Sequence, residues 1–219
     1  MIKKNIKFSI AIDGSSASGK TTGSKFIAKK FKFNLLSSGM LYRYLSYKII
    51  KNDNKYNKKF IVNQSKSITL KKLENKKLYN PKVTKLASII AKKKFIRNSL
   101  KQFQKNFIKK NKKVIIEGRD IGSVIMPSAD LKIYFKCSIK EKAKRRLKEF
   151  KKINKKITLK EVEKALKSRD FSDKNRKESP LLFVKGAVLV DTTKLTIKQM
   201  ERKLVKLVRE KLLNKYGNI

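Results

Sequence analysis

Gly14, Gly19, Lys20 and Thr21 fall in the spacing Gly-x-x-x-x-Gly-Lys-Thr, a pattern suited to holding phosphate. Glycines let the backbone bend until successive N–H groups face an anion. A helix opening at the end of the run adds its positive N-terminal pole. Lys20 can bridge the outer phosphates of a nucleotide, and the Thr21 hydroxyl can face a magnesium ion. The context fits this use: the apolar run Phe8 to Ile12 leads into Asp13-Gly14, and a helical pattern follows Gly19. A nucleotide-phosphate site is expected, with a glycine-rich turn that binds nothing as the bland alternative.

The arginines are the next residues with chemistry in them. Nine of the 60 basic residues are arginine, so each stands where lysine is the common choice. Arg43, Arg97, Arg119, Arg145, Arg146, Arg169 and Arg176 lie in or beside polar segments, whereas Arg202 and Arg209 lie on the terminal helical pattern. A guanidinium binds phosphate through two donors of fixed geometry, which an ammonium does not copy. Phosphoryl transfer is catalysed mainly by positioning and by neutralising charge. A kinase of small phosphorylated acceptors needs arginines on the acceptor phosphate and on the transferring group. Surface ion pairing is the alternative for any one of them, most of all for Arg145 and Arg146. Arg169, Asp173 and Arg176 stand four and three apart. On a helix they share a face, which fits either an intrahelical ion-pair ladder or a closing lid that carries catalytic arginines.

These groups need elements to position them. Lys7 to Asp13 predicts a buried strand and Lys20 to Phe31 a helix. Asn34 to Ser37 predicts a second strand, and Ser38 opens a helix to about Lys51. Asn52 to Lys77 is Lys/Asn-rich and poorly periodic, so it is expected to be a loop with limited local structure. Asn80-Pro81 starts a helix with Val83, Leu86, Ile89 and Ile90 at helical spacing. Ile96, Leu100, Phe103 and Phe107 mark another, whose stripe reads as core. Val114 to Glu117, Leu131 to Cys137 and Ala187 to Val190 are strand-like. Ser138-x-x-Glu141, Thr158-x-x-Glu161 and Thr196-x-x-Gln199 each open a helix, the last with Ile197, Met200, Leu204, Val208 and Leu212 on its apolar face. Apolar strands alternating with helices predict an α/β fold, a five-stranded parallel sheet covered on both faces. Ligands in such sheets sit beyond the carboxyl ends of the strands.

At 219 residues the chain suffices for one domain with a mobile part. The formal net charge of +44 attracts polyanions. The excess is lysine spread along the whole chain, so compositional bias is favoured over a dedicated nucleic-acid surface. The one cysteine, Cys137, excludes a disulfide framework and reads as a small buried hydrophobe. The absence of histidine excludes histidine catalysis and histidine metal sites. No signal-peptide core and no membrane-spanning run is found, so a cytoplasmic protein, without a membrane partner, is expected.

The chain resembles the bacterial cytidylate kinases, which are nucleoside monophosphate kinases. The resemblance rests on Ile12-Asp-Gly-Ser-Ser-Ala-Ser-Gly-Lys20, Leu35-Leu-Ser-Ser-Gly-Met-Leu-Tyr-Arg43, Gly118-Arg-Asp-Ile-Gly-Ser-Val-Ile-Met-Pro127, Ala143-Lys-Arg-Arg146, Arg169-Asp-Phe-Ser-Asp-Lys-Asn-Arg176 and Asp191-Thr-Thr193. It implies a P-loop kinase fold and transfer of the ATP γ-phosphate to CMP and dCMP with magnesium, in pyrimidine metabolism. It further implies that Gly14, Ser15, Ser16, Ala17, Ser18, Gly19, Lys20, Thr21 and Thr22 hold the ATP phosphates. Ser38, Arg43, Arg169 and Asp173 would hold the CMP phosphate and sugar, and Ser88, Arg97 and Asp120 the cytosine end, with Arg119 beside that pocket. Lys20, Arg169 and Arg176 would bear on the transferring phosphate, and Thr21 on magnesium. A carboxylate with an arginine complements the cytosine edge, whose exocyclic amine donates, whereas uracil would face Asp120 with an oxygen.

Within one domain over 1–219, the resemblance divides the chain into a core (1–51, 110–149 and 180–219), a reduced monophosphate-binding region (52–109) and a lid (about 150–179). A monomer without a specific nucleic-acid partner is expected. The chain departs from the family at Ser37, where aspartate is usual, at Ser15 and Ala17, where proline and glycine are usual, and in the short stretch Asn52 to Lys77. A UMP or AMP kinase, and a basic nucleic-acid-binding protein, are the rival readings.

Overall fold

The computed structural model describes residues 6–151 and 157–217. Residues 152–156, inside the expected lid, lie outside the described residues. The chain folds as two compact units. One takes the described parts of Met1–Leu35 and Lys112–Ile219, and the other is Leu36–Asn111.

The first unit is built on β1 (Phe8–Gly14), β3 (Lys113–Gly118), β4 (Leu131–Lys136) and β5 (Ala187–Asp191). With β2 (Asn34–Ser37), which begins in this unit, they form a five-stranded sheet of order β2-β3-β1-β4-β5. β1 pairs in parallel with β3 and β4, and β4 with β5. The central strand is buried along most of its length: Phe8, Ile10 and Ile12 share one face and have no exposed surface, and Ala11 and Asp13 are buried on the other. Burial of each contributes about 1.5–3 kcal/mol. The chain leaves β1 toward the β3 side and later adds β4 on the other side. Strand order therefore reverses at the carboxyl end of β1, the position where such sheets take ligands.

Helices α1 (Lys20–Phe31) and α9 (Ile197–Tyr216) cover one face. Ile27, Phe31, Met200, Leu204, Val208 and Leu212 pack there with Phe135 of β4. Gly23 of α1 makes this packing close: a Cβ there would stand 2.8 Å from the Phe135 ring and 2.9 Å from Leu204. Ile197 departs from the expected apolar face and is exposed, because it is the first residue of the helix, before the stripe meets the sheet. Helices α7 (Ile139–Lys151) and α8 (Leu159–Asn175) pack on each other through Ala143, Val162 and Leu166. α8 and α9 open with complete capping boxes at Thr158/Glu161 and Thr196/Gln199, while at Ser138 the hydroxyl accepts from the Glu141 N–H.

Coverage of the sheet is less complete than expected. β4 alternates buried Leu131, Ile133 and Phe135 with the more exposed Lys132, Tyr134 and Lys136. Leu189 of the edge strand β5 is exposed, and Tyr134 is met by the Phe183 ring, edge to face at 5.4 Å. The alternation Leu-Lys-Ile-Tyr-Phe-Lys carries this signal.

The second unit is helical. It holds α2 (Ser38–Ile50), α3 (Lys58–Lys66), α4 (Leu70–Leu73), a 3-10 turn (Lys76–Tyr79), α5 (Pro81–Ile90) and α6 (Lys94–Lys110). The expected loop from Asn52 to Lys77 is thus largely helical. Its asparagines and threonine are caps: Asn57, Thr69 and Asn75 side chains accept from the N–H groups of Phe60, Lys72 and Lys77. Between the caps Ile61, Ile68, Leu73 and Leu78 are buried. α5 and α6 form as expected, with Val83, Ala87 and Ile90, and Ile96, Leu100 and Phe107, turned inward; Ile89 of the expected α5 stripe is instead exposed. Among the described residues no helix is long and apolar enough to cross a membrane.

Candidate active site

The loop from Gly14 to Gly19 joins β1 to α1 at the reversal of strand order. Gly14 is required by close approach, since a Cβ there would stand 2.6 Å from the Phe135 carbonyl oxygen. Gly19, at φ 88°, sits in the left-handed region and is the residue before α1. The loop is tied internally: Ser18 Oγ donates to the Ser15 carbonyl at 3.0 Å, and Ser24 Oγ to that of Lys20 at 2.7 Å. Thr192, just past β5, donates from Oγ1 to the Ser18 carbonyl at 2.9 Å. Ala17 takes φ 58° where the resemblance has glycine. A side chain there costs about 1–2 kcal/mol, against the roughly 0.5–1 kcal/mol entropy cost of glycine. Ala17→Gly is therefore expected to raise stability by about 0.5 kcal/mol and Tm by about 1–2 °C. Calorimetry checks this, and a fall in Tm would contradict it.

Lys20 is buried, and its ammonium donates to the Ser15 carbonyl at 3.2 Å. Burial first, then the Arg119 charge, lower its pKa from 10.5 to about 7, with Glu117 opposing. The amine waits beside the loop with its charge weakly supported, and an incoming polyphosphate would restore it.

Thr21 Oγ1 donates to both oxygens of Glu117, at 2.9 and 3.0 Å. Glu117 is buried at the carboxyl end of β3, beside Ile12 in register. A hydroxyl and a carboxylate are hard oxygen donors of the kind magnesium takes, with water and phosphate oxygens filling its octahedron. The residues present fit that ion, and among the described residues no cluster of three acidic or thiol groups competes for it. Glu117 is a polar strand end in the sequence, and its pairing with Thr21 appears only in the fold.

Arg119, Asp173 and Arg176 come together. Arg119 Nε donates to Asp173 Oδ2 at 2.7 Å, and Arg176 approaches Asp173 Oδ1 at 3.7 Å. Burial pushes the Asp173 carboxyl up, but Arg119, with Arg169 and Arg176, outweighs it and holds the pKa below its usual value. Arg169 lies near enough to act on both Asp173 and Lys20. α8 ends at Asn175, so Arg176 is its C-cap residue and not part of a three-member helical face. Asp173 binds across to the segment after β3, because a buried carboxylate gains more from a close guanidinium than from an exposed ladder.

Asp120 is buried and precedes a π-helical turn, Ile121–Ile125. Asp13 fixes this turn by accepting from the Ile121 N–H at 2.8 Å and the Gly122 N–H at 2.7 Å. Burial raises the Asp13 pKa to about 6 against those two hydrogen bonds, and the charge of Asp120 adds to the rise.

On α7, Arg146 pairs with Glu149 on the surface, as the bland reading allows. Arg145 does more. It donates to Thr192 Oγ1 at 3.1 Å and to the Thr192 carbonyl at 2.7 Å, and Glu141 pairs with it. Lys142, which its sequence does not set apart from the other lysines, is buried and donates to Ser15 Oγ at 3.2 Å.

The remaining expected residues belong to the helical unit. Ser38 is buried as the first residue of α2. Arg43 donates to the Leu78 carbonyl at 3.1 Å and lies over the Tyr79 ring. Arg97, on α6, donates to the Ala91 carbonyl at 3.0 Å and lies over the Tyr42 ring, next in sequence to Arg43. Ser88, on α5, donates to the Lys85 carbonyl.

A family model described as cytidylate kinase matches residues 10–210. A cytidylate kinase of Fusobacterium nucleatum subsp. nucleatum is 39% identical, over 87% of this chain and 92% of its own length. One of Thermotoga maritima is 35% identical, over 94% and 98%. Among solved structures, a gluconokinase from Sinorhizobium meliloti matches with a TM-score of 0.53 at 12% identity, covering 99% of this chain and 100% of its own. TT1252 from Thermus thermophilus gives 0.53 at 13% identity, covering 94% and 98%. These two likenesses concern the fold alone. The phosphate loop, the buried lysine and the arginines gathered on Asp173 thus stand in a chain matched nearly end to end by one family, and the protein belongs to the cytidylate kinases.

Proposed function

We propose that this protein transfers the γ-phosphate of ATP to CMP, and to dCMP, giving CDP or dCDP and ADP in pyrimidine nucleotide metabolism. The observation that carries the reading is the gathering of Lys20, Arg119, Arg169, Asp173 and Arg176 beside the phosphate loop, in a chain of this family. Loop N–H groups from Gly14 to Thr22 hold the β- and γ-phosphates, and Lys20 leaves the Ser15 carbonyl for them. Magnesium, when bound by Thr21, neutralises charge on the donor phosphates. A phosphate oxygen of CMP forms a bond to the γ-phosphorus as the bond to the bridging oxygen breaks, and ADP leaves. The acceptor is already an oxyanion, so no general base is needed. Arg169 and Arg176 steady the transferring group.

Ser38, Arg43, Arg169 and Asp173 hold the CMP phosphate and sugar, and Ser88, Arg97 and Asp120, beside Arg119, read the cytosine. The protein acts in the cytoplasm as a monomer. Turnover of CMP, UMP and AMP at equal concentration tests the reading, since preference for AMP would overturn it. Asp120→Ala is expected to lower kcat/KM for CMP about 100-fold while leaving the KM for ATP within about threefold. Equal weakening toward both substrates would remove Asp120 from base reading.

A further inference from the structure

Two lysines meet at Ser15. Lys20 donates to its carbonyl and Lys142 to its hydroxyl, each at 3.2 Å. Lys142 comes from the first turn of α7, and the main chain of this residue is fixed by its N–H donating to the Ser138 carbonyl. Its ammonium is also ion-paired with Asp170 of α8, and both side chains are largely buried, at 6% and 14% exposure. The other carboxylate oxygen, Asp170 Oδ1, is buried without a hydrogen-bond partner among the described residues, so Lys142 is the hydrogen-bonded counter-charge of this group. Asp170 directly follows Arg169.

A buried ammonium keeps its partners, because an unpaired charge out of water is strongly unfavourable. One cation therefore fixes the start of the phosphate loop to the turn of α8 that bears Arg169. The serine matters here. The proline usual at this position in the family resemblance has no hydroxyl to accept the bond.

We propose that Lys142 is a positioning residue for phosphoryl transfer. With Ser15 Oγ and Asp170 as its two fixed points, it sets where Arg169 stands relative to the loop. The inference rests on the reading of this loop as the donor-phosphate site. It predicts an effect on the chemical step larger than on the binding of either substrate, since the residue acts through Arg169 and the loop.

The test compares Lys142→Met, Lys142→Arg, Asp170→Asn and Ser15→Ala. ATP binding is measured directly by calorimetry, and kcat and both KM values by ADP release. The acceptor is whichever of CMP, UMP, AMP and GMP the wild-type protein turns over, so a wrong acceptor assignment is read separately from the role of Lys142. Lys142→Met is expected to lower kcat at least 10-fold, with ATP affinity and both KM values within about threefold. Lys142→Arg, which can reach both partners, recovers kcat to within about threefold of wild type. Asp170→Asn repeats the loss, and Ser15→Ala shows part of it without a change in Tm. A folded Lys142→Met protein with kcat within twofold of wild type overturns the proposal. So does a loss that arginine does not rescue and that follows Tm. If Lys142→Met does not fold, unchanged kcat in both Asp170→Asn and Ser15→Ala is the overturning result, and a loss in both supports it.

Discussion

Replacing Lys20 with alanine is expected to lower kcat by about 10²–10³ while leaving the free protein as stable as before, or more so. The loss of rate corresponds to about 2.7–4 kcal/mol of transition-state stabilisation, the usual size for one charged or oriented donor on a developing oxyanion. The stability effect has the opposite sign because of where the ammonium sits. It is buried, with Arg119 and Arg169 acting against its charge, and its pKa falls to about 7. An unfolded lysine titrates near 10.5, so between pH 7 and 10.5 the unfolded chain binds more protons than the folded one. Stability of the free wild-type protein therefore rises with pH across that window, and Lys20→Ala abolishes the slope. ATP binding does the reverse, since a polyanion restores the charge. Calorimetry in buffers of different ionisation enthalpy should show proton uptake at pH 8 in the wild type and none in the variant. A kcat within threefold of wild type, or a large drop in Tm, would remove Lys20 from the transferring phosphate.

Asp173→Asn is the second large effect. The carboxylate accepts from Arg119 at 2.7 Å, stands 3.7 Å from Arg176 and bears on Arg169. An amide keeps the size and removes the neutralisation, leaving several cations facing one another in a buried place. Breaking a buried pair from one side costs about 3–5 kcal/mol, or about 10 °C in Tm for a chain of this length. kcat should fall at least 100-fold, because Arg119 and Arg176 lose the group that aims them. The pH dependence has a definite sign. The folded pKa lies below the ordinary 3.8, so the contribution is present above that value and is lost as pH falls through the folded one. The variant should lack that part of the acid limb. Pyrophosphate should raise the Tm of the variant more than that of the wild type, since an anion replaces the missing charge. Equal shifts would mean that Asp173 does not balance a phosphate-binding cluster.

Parts of this site are legible in the sequence because their causes are local. The spacing of Gly14, Gly19 and Lys20 fixes a turn and a helix start within one short stretch. The apolar residues of β1 and β3 mark central strands buried nearly throughout, whereas β4 shows instead as an alternation of apolar and more exposed residues. The helices between Asn57 and Tyr79 were hidden, because lysine and asparagine are so common here that neither marks a loop. Asn57, Thr69 and Asn75 are caps, a role their side chains suit but that only their place before a helical turn assigns to them. Glu117, Lys142 and Arg145 lie beyond a reading of spacing for another reason. Each meets its partner across the fold, at Thr21, Ser15 and Thr192. Asp173 suggested a ladder along its own helix, yet its closest bond is to Arg119, 54 positions away.

The bond from Asp13 to the turn after β3 has a consequence for how the site comes into being. Its two N–H donors lie 108 and 109 positions after Asp13 in the chain, and they can meet it only after β1 has found β3. A nascent chain that has made the phosphate loop but not yet β3 lacks Arg119 and Asp120 together with Glu117. Synthesis therefore produces no early fragment able to grip a nucleotide and also to act on it. The ability to use ATP should appear in one step, late in folding.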